Sequence, residues 1–513
     1  MITGGCRKAS AGFRDMVIFG AFIIMRHAMA GNPILKTIAY VQRNGIKPAF
    51  YAALERLHDE KEEYIYEAPS IDELIRQKSE SYAWGESAPL ISVVVPVFRT
   101  PENYFTKMVE SVLSQTYSRF ELVLADAGEK DFFSQKIKHL IGSDERIKYI
   151  HLDINDGISA NTNEGIKAAK GDYIAFLDHD DFLAPNALYE VARVVRNAQS
   201  IRQMPYLIYS DEDKCDADGM NFFEPNIKPD FNLDYLLSNN YISHFSAVNA
   251  AALKETGLLR KNFDGAQDYD LILRVVSAAL INGGGIYHIP KALYHWRCHE
   301  SSTAANPKSK SYAYLAGKRA IASFLLDNGI KADVSELPHV GFYRCEYDDD
   351  YFDYLSSEIV NKNTAKVRRL GAVGGKLIDK RGRIVSGMYD SNGQVVFENL
   401  PKGYGGGLMH RAVLEQDAYA VDIRLIRVNK DLWPQFKSVT GFDYNENSDK
   451  QRQNINELIT NKCPSNLSEA DFAAKLSMEF CTLVRNMGYL IMWDPYLIAV
   501  LGSDGKTGSA NDH

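Results

Sequence analysis

Three carboxylates and a histidine close the run Gly171-Asp172-Tyr173-Ile174-Ala175-Phe176-Leu177-Asp178-His179-Asp180-Asp181. The apolar stretch before them reads as a buried parallel strand, and charge set abruptly at its C-terminal end marks the edge where α/β sheets bind ligands. Carboxylates this dense repel one another and are costly to desolvate, so at a strand end they point to a cation among them. Oxygen donors suit Mg or Mn. The competing reading is a solvated acidic turn.

The elements that must position this cluster lie upstream. Leu90 to Phe98 reads as an apolar strand broken by Pro96, followed by a helix pattern over Tyr104 to Leu113. Phe120 to Ala125 reads as a second strand ending on Asp126, and Ile147 to Leu152 as a third. The third runs into a polar loop, Asn155 to Asn163, that opens a helix at Glu164 to Ala169. Strands alternating with helices, with polar residues at the strand ends, predict a parallel sheet with a ligand at its carboxyl edge.

The order Pro96-Val97-Phe98, Ser114-Gln115-Thr116-Tyr117, Glu121-Leu122 to Asp126, Asn163 and Gly171 to Asp181 resembles the nucleotide-sugar half of a family 2 glycosyltransferase of GT-A fold. Further matches are Tyr209-Ser210-Asp211-Glu212-Asp213-Lys214, Lys228-Pro229-Asp230-Phe231, Gln267-Asp268-Tyr269-Asp270 and His295-Trp296-Arg297-Cys298-His299. The type resembled is the bacterial rhamnosyltransferase-like enzyme of surface-polysaccharide synthesis, over residues 86–332. The resemblance implies a Rossmann-like, mostly parallel α/β sheet, a nucleotide diphosphate sugar donor, a divalent cation and inverting transfer to a glycan or lipid-linked acceptor.

It also implies roles. Pro96, Phe98, Asp126, Gly157, Asn163 and Asp178 would surround the nucleotide sugar, with Asp178 and Asp180 on Mg or Mn. Arg297 and His299 would meet the departing diphosphate, and Gln267 and Trp296 the acceptor. Asp126 stands where the family reads the base, but Asp126-Ala127-Gly128-Glu129 lacks one acid of the commoner Asp-Asp-Gly-Ser form, so UDP- and dTDP-linked donors both stay open. Asp268 reads locally as a first-turn or capping carboxylate of the helix that follows. By resemblance it is the general base.

Other acidic and metal-like patterns resolve differently. Asp181 is expected to cap the helix over Leu188 to Val195, and His179 to lie beside the site. The acidic stretch Asp211 to Gly219 fails the EF-hand spacing, and Asp216-Ala217-Asp218-Gly219 reads as a hairpin turn. His295, Cys298 and His299 lack a fourth spaced ligand for zinc.

With 513 residues, 45% hydrophobic and 24% charged, the chain has room for two or three globular domains. A net charge of -8 and a pI near 5.9 argue against nucleic acid as the main partner. Six scattered cysteines fit a reducing compartment, hence a cytoplasmic protein, with peripheral association at the inner face of the membrane as an option. Met16 to Met25 is too short to span a bilayer, and residues 1–32 are expected to be an N-terminal tail, disordered or outside the translated protein. Residues 33–85 follow a helical pattern that ends in the polar stretch Ser79 to Ala88.

Beyond Glu336 the chain changes character. Leu370 to Leu377 reads as a strand, Asp379 to Arg383 as a turn, and Glu479 to Arg485 echoes Asp268 to Arg274. Residues 336–500 thus read as a degenerate, non-catalytic glycosyltransferase-like half domain repeating the acceptor side only, and 501–513 as a disordered tail. Two rival functions are weighed. A sugar-phosphate nucleotidylyltransferase would need a glycine-rich phosphate loop after the first strand, and Pro96 to Thr100 has no glycine. A non-catalytic glycan-binding or scaffold protein would have no need of Asp126, Asp178, Asp180 and Asp268 together.

Overall fold

The computed structural model describes residues 64–130, 132–133, 135–142, 144–299, 311–347, 368–405, 409–501 and 507–508. The expectations for residues 1–32, including Met16 to Met25, and for 33–63 lie outside these. Among the described residues no helix is long and apolar enough to cross a membrane. Glu62–Asn399 and Leu414–His513 form one compact unit. In the other unit, Arg411–Val413 is a short 3-10 turn with Ala412 N donating to Gly405 O at 2.8 Å.

The first half runs α1 (Ile71–Ala83), β1 (Ile91–Val97), α2 (Glu102–Leu113), β2 (Phe120–Asp126), α3 (Gln135–Ile141), β3 (Ile147–His151), α4 (Ile158–Ala168), β4 (Tyr173–Phe176), β5 (Phe182–Leu183) and α5 (Ala187–Ser200). It continues through β6 (Pro205–Cys215), β7 (Phe222–Asn226), α6 (Leu233–Ser238), β8 (Ser246–Asn249), α7 (Ala250–Thr256), α8 (Gln267–Asn282) and β9 (Gly285–Arg297). Nine strands form one sheet in the order β3-β2-β1-β4-β8-β6-β9-β5, with β7 beside β6. Strands β1 to β4 are mutually parallel, β8 is antiparallel to both β4 and β6, and β9 is parallel to β6. Val93, Val94 and Val95 are fully buried, as a strand covered on both faces requires. Pro96 costs no ladder bond toward β4, because that pairing stops at Val94 and Phe176.

Gly171 explains its place before β4. A Cβ there would lie 2.6 Å from Ser92 N, so only glycine lets the chain come this close to β1. The expected polar loop before α4 is shorter than its sequence suggests. The helix starts at Ile158, and Asn161 turns back to donate to Asn155 Oδ1 at 2.9 Å, so Asn161 to Asn163 are helical. The expected boundary at Ser79 to Ala88 is crossed by α1. Its Ser81 hydroxyl donates to Thr116 O at 3.0 Å and Trp84 stacks on Tyr189 at 5.3 Å, which fastens it to the sheet of the first half. Residues 64–70 are not helical; Tyr64 there donates to Asp213 at 2.8 Å.

After α9 (Ser311–Asp327) and the antiparallel pair β10 (Ala332–Glu336) and β11 (Tyr343–Tyr347), the second half builds its own sheet. Its elements are β12 (Leu370–Ile378), β13 (Ile384–Ser386), β14 (Met388–Tyr389), β15 (Gln416–Asp417), β16 (Ala420–Val421), β17 (Ile426–Val428), α10 (Trp433–Thr440), α11 (Ser448–Lys462), α12 (Glu469–Asn486), β18 (Leu490–Leu501) and β19 (Thr507–Gly508). The order is β13-β12-β18-β15, with β17 on β12 and β19 on β18. Each half has its own apolar core. Asp379 Oδ1 accepts from Arg381 N and Arg383 N at 2.8 Å each, which makes the turn expected there. The tail expected to be disordered contributes β19; residues 502–506 and 509–513 are outside those described.

Buried polar groups tie the halves together. Arg368, fully buried, donates to Asp234 Oδ1 at 2.9 Å, and Asp417 Oδ2 accepts from Leu233 N at 2.7 Å. Ser238 donates to Glu415 O at 3.0 Å.

Candidate active site

The acidic cluster forms a tight turn where β4 ends, with Asp181 N donating to Asp178 O at 3.3 Å. Its three carboxylates have three different fates. Asp181 does not cap a helix, contrary to the expectation. It is buried and accepts from Tyr294 Oη at 2.5 Å and Arg297 N at 2.7 Å, so it clamps the turn to β9. Burial, then the neighbouring Asp180 and Asp178, push its carboxyl well up. Asn186 stands in the cap position of α5 instead.

Asp180 Oδ2 lies 2.9 Å from His299 Nε2. Burial alone would raise its pKa, but His179 and His299 hold it below the ordinary carboxylate value. Asp178 is the most open of the three, with 44% of its side chain exposed, and lies 3.8 Å from His244 Nε2.

Arg297 supports this turn from below. It is 1% exposed, its Nε donates to Asp180 O and its Nη1 to Ala217 O, both at 2.6 Å, and its guanidinium lies 4.6 Å over the Tyr104 ring. Nη2 has no partner. Ala217 sits in the hairpin expected at Asp216 to Gly219, closed by Gly219 N donating to Asp216 O at 2.9 Å. His295 belongs to the packing: it is buried, meets Asp213 at 2.6 Å and lies against Tyr66 and Phe222.

Asp268 falls in the first turn of α8, whose cap residue Ala266 has no side-chain bond to give. Asn240 Nδ2 donates to Asp268 Oδ2 at 2.8 Å. Burial raises the Asp268 carboxyl, and Asp178 adds to this, while His244 and the Tyr269 and Asn240 donors oppose it. His244 is thus the link between the two acids. It stacks on Tyr294 at 4.6 Å and faces Trp296 at 6.1 Å.

Sequence reasoning passed over His244 and Asn240. Both lie on the loop before β8, which is antiparallel to β4 and so starts beside the end of β4. Lys228 holds this loop, donating to Ile242 O at 2.7 Å and also to His244 O. Its ammonium is buried beside Glu212, and burial lowers its pKa. A buried lysine in Lys228-Pro229-Asp230-Phe231 was the available signal.

Asp126 is buried at the end of β2. Its Oδ1 accepts from Gly128 N at 2.8 Å and its Oδ2 from Tyr149 Oη at 2.6 Å. Glu129 pairs with Arg99, whose guanidinium lies 5.2 Å over the exposed Phe98 ring. Gly157 has φ +95, and a Cβ there would come within 2.7 Å of Asp264 Oδ2. Asn163 uses both ends of its amide on Leu259, donating to O at 2.9 Å and accepting from N at 3.0 Å, and so braces the loop after α7. Gln267 folds back to accept from Gly265 N at 2.8 Å.

Among the described residues no three His, Cys, Asp or Glu side chains converge to hold an ion by themselves. Asp178 and Asp180 nonetheless fit a hard cation whose remaining ligands come from a diphosphate, since such ions commonly take one or two carboxylates plus substrate phosphates.

A mostly parallel sheet with acids at its carboxyl edge, crossed by antiparallel β8, has the arrangement of the GT-A class of transferase fold. Residues 92–257 match the family model described as Glycosyl transferase family 2. It is 39% identical over 241 residues to an uncharacterised protein of Sinorhizobium fredii, covering 47% of this chain and 26% of that one. It is 35% identical over 260 residues to an O-antigen biosynthesis protein of Myxococcus xanthus, covering 50% of this chain and 20% of that one. The chain therefore spans about a quarter or less of these curated relatives. Among solved structures, S. aureus TarS 1-349 in complex with UDP-GlcNAc is 18% identical over 46% of this chain and 66% of that one, with a TM-score of 0.36.

Proposed function

We propose that this chain is an inverting, metal-dependent glycosyltransferase that moves a sugar from a UDP- or dTDP-linked donor to a glycan or lipid-linked acceptor in bacterial surface-polysaccharide synthesis. The observation that carries this reading is the placement of Asp178 and Asp268 on either side of His244, inside or beside the family match. The O-antigen relative supports the surface-polysaccharide setting.

Asp268 takes the proton of the acceptor hydroxyl. Its raised proton affinity makes its ionised form a stronger base, and Asn240 orients it. The acceptor oxygen bonds to the anomeric carbon as the bond to the diphosphate breaks, the electron pair leaving with the diphosphate. A single displacement inverts that carbon. Mg or Mn held by Asp178 and Asp180, with His299 alongside, would supply positive charge for the diphosphate. Arg297 keeps the metal turn in place and has Nη2 left for a phosphate oxygen. Asp126 shapes the base end through Gly128 and Tyr149, and Trp296 forms an acceptor wall. Five cysteines among the described residues are free thiols, which fits a cytoplasmic enzyme, peripheral at most.

Asp180→Asn tests the metal. Transfer and metal-dependent nucleotide binding should both collapse with the melting temperature nearly unchanged. Full activity in the variant, or in excess chelator, rejects this assignment.

A further inference from the structure

The second half contains a cleft of about 540 Å³ that plays no part in the transfer described above. It lies along β17, the strand that occupies in this sheet the place β8 occupies in the catalytic one. Strand β8 is joined on its outer side to β4 and through it to the donor strands. The outer side of β17 meets no strand among the described residues. Tyr444 Oη covers that edge, accepting from Val428 N at 3.3 Å and donating to Ile426 O at 3.4 Å. The cleft therefore stands where the catalytic half has its donor side.

Its lining is polar and aromatic. Trp433 and Tyr444 stack at 5.6 Å, and both are partly exposed. Two cations on the rim have acidic partners: Lys430 lies 3.5 Å from Glu446, and Arg452 pairs with Asp449. Arg427 is exposed and makes no ion pair among the described residues. The N-terminus of α11, a 15-residue helix, opens on the same cleft. Gln451 in its first turns is 3% exposed; its Oε1 accepts from Asn445 N at 2.8 Å, and its Nε2 has no partner. A buried donor left without a partner is costly, so this side chain is set for a ligand acceptor.

We propose that this cleft binds an acidic saccharide, one sugar face packed on the Trp433–Tyr444 platform and one anionic group held by Arg427 and the Gln451 amide. A pyranose offers a face of C–H bonds to the electron-rich face of an aromatic ring. One exposed cation beside a helix N-terminus, engaged only at a distance by Asp494, fits a single carboxylate or phosphate per bound unit. The site holds a chain while the catalytic half acts on it. The choice of a saccharide rests on the transferase reading above; the anion preference does not.

The test uses the full chain carrying Asp268→Asn, so that binding is measured without turnover. Three probes are titrated by calorimetry: an oligogalacturonate hexasaccharide, the same oligomer with its carboxyls reduced, and inorganic phosphate. The uronate should bind, with reduction weakening it tenfold or more and phosphate weaker still. Adding Arg427→Ala, an exposed change with little cost to folding, should weaken uronate binding at least tenfold. Gln451→Glu should do the same by setting a carboxylate against the anion. Donor hydrolysis measured separately with Arg427→Ala alone should stay at the wild-type rate. Absence of uronate binding, binding unaltered by Arg427→Ala, or equal binding of the reduced oligomer overturns the proposal. Phosphate binding as tightly as the uronate overturns the saccharide part. Loss of donor hydrolysis in Arg427→Ala alone would put Arg427 in the transfer site and overturn the proposal, whereas absence of donor hydrolysis in the wild-type chain would count against the transferase reading, and the two failures are read on different assays.

Discussion

The two halves share a plan and differ in what is attached to its edge. In the first, β6 has antiparallel β8 and β7 and parallel β9 as neighbours; in the second, β12 has antiparallel β17 and β13 and parallel β18. Asn249 ends β8 and caps α7 through Ala251 N, and Asn429 follows β17 and caps the next turn through Asp431 N. A long helix and a glycine then lead into the parallel strand, Gly283 before β9 and Gly488 before β18. The catalytic half continues past β8 into four parallel strands, whose ends supply Asp126 and the turn at Asp178. The second half stops at β17. On the proposed function, the shared scaffold positions the acceptor-side helix and the added strands bring the donor chemistry.

If that division is right, the most damaging change is at the acceptor helix of the first half. Asp268→Asn keeps shape and the Asn240 contact but cannot take a proton, so turnover should fall about 10²- to 10⁴-fold. Donor affinity and melting temperature should barely move. Because burial raises the Asp268 pKa and only the ionised form is a base, the wild-type rate should fall with decreasing pH in a limb lying above the ordinary carboxylate range near 4. His244 opposes that rise, so His244→Gln should move the limb to higher pH. A pH profile identical in both proteins rejects the coupling of these two residues.

The next effect concerns the donor side. Arg297→Lys keeps the charge but cannot bond Asp180 O and Ala217 O from one planar fork while lying over Tyr104. Nucleotide affinity should drop about tenfold, with roughly 1–3 kcal/mol lost in stability. Unchanged affinity on both counts would mean the acidic turn holds itself.

How much of this contrast could be read from residues alone follows from where the signals lie. Near-continuous apolar runs, two of them ending in acids, gave β1 to β4 and the Asp178 turn, because a strand buried on both faces leaves an unmistakable pattern. Asp181 misled, since a carboxylate before a helix looks like a cap; only the long-range return of β9, 113 residues on at Tyr294, reveals its partner. His244 and Asn240 were invisible for the same reason: their chemistry comes from a loop that tertiary pairing sets beside β4. The echo of Asp268 to Arg274 in Glu479 to Arg485 falls at different points of the two helices. Asp268 opens α8, whereas Glu479 lies deep inside α12, which begins at Glu469.

The joint between the halves offers a smaller, pH-dependent effect. Asp234 Oδ2 and Asp417 Oδ1 are buried without a donor, and the two carboxyls lie within hydrogen-bonding reach, so one proton shared between them satisfies both. Burial and Asp234 raise the Asp417 pKa, and burial raises that of Glu415. A raised folded-state pKa gives stability that is present at low pH and lost as pH climbs through it. Asp417→Asn keeps an oxygen for Leu233 N and offers an amide proton to Asp234 at any pH. It should raise the melting temperature by a few degrees at alkaline pH and leave it near wild type at pH 5. A parallel decline of both proteins with pH would place the titration elsewhere.

The smallest expected effect is the sharpest control on the comparison. Glu479 is exposed on α12, in the half without donor strands, and the apolar residues beside it, Phe480 and Cys481, are the ones that are buried. A carboxylate several turns from a helix N-terminus has no pull from the helix dipole and no buried partner to lose. Glu479→Gln should therefore leave turnover unchanged and shift stability by no more than about 0.5 kcal/mol. Measured beside Asp268→Asn in the same assay, it asks whether the two acids are equivalent. A loss of turnover at Glu479 comparable to that at Asp268 would mean that the second half takes part in the chemistry, and that the missing donor strands are not what separates the two.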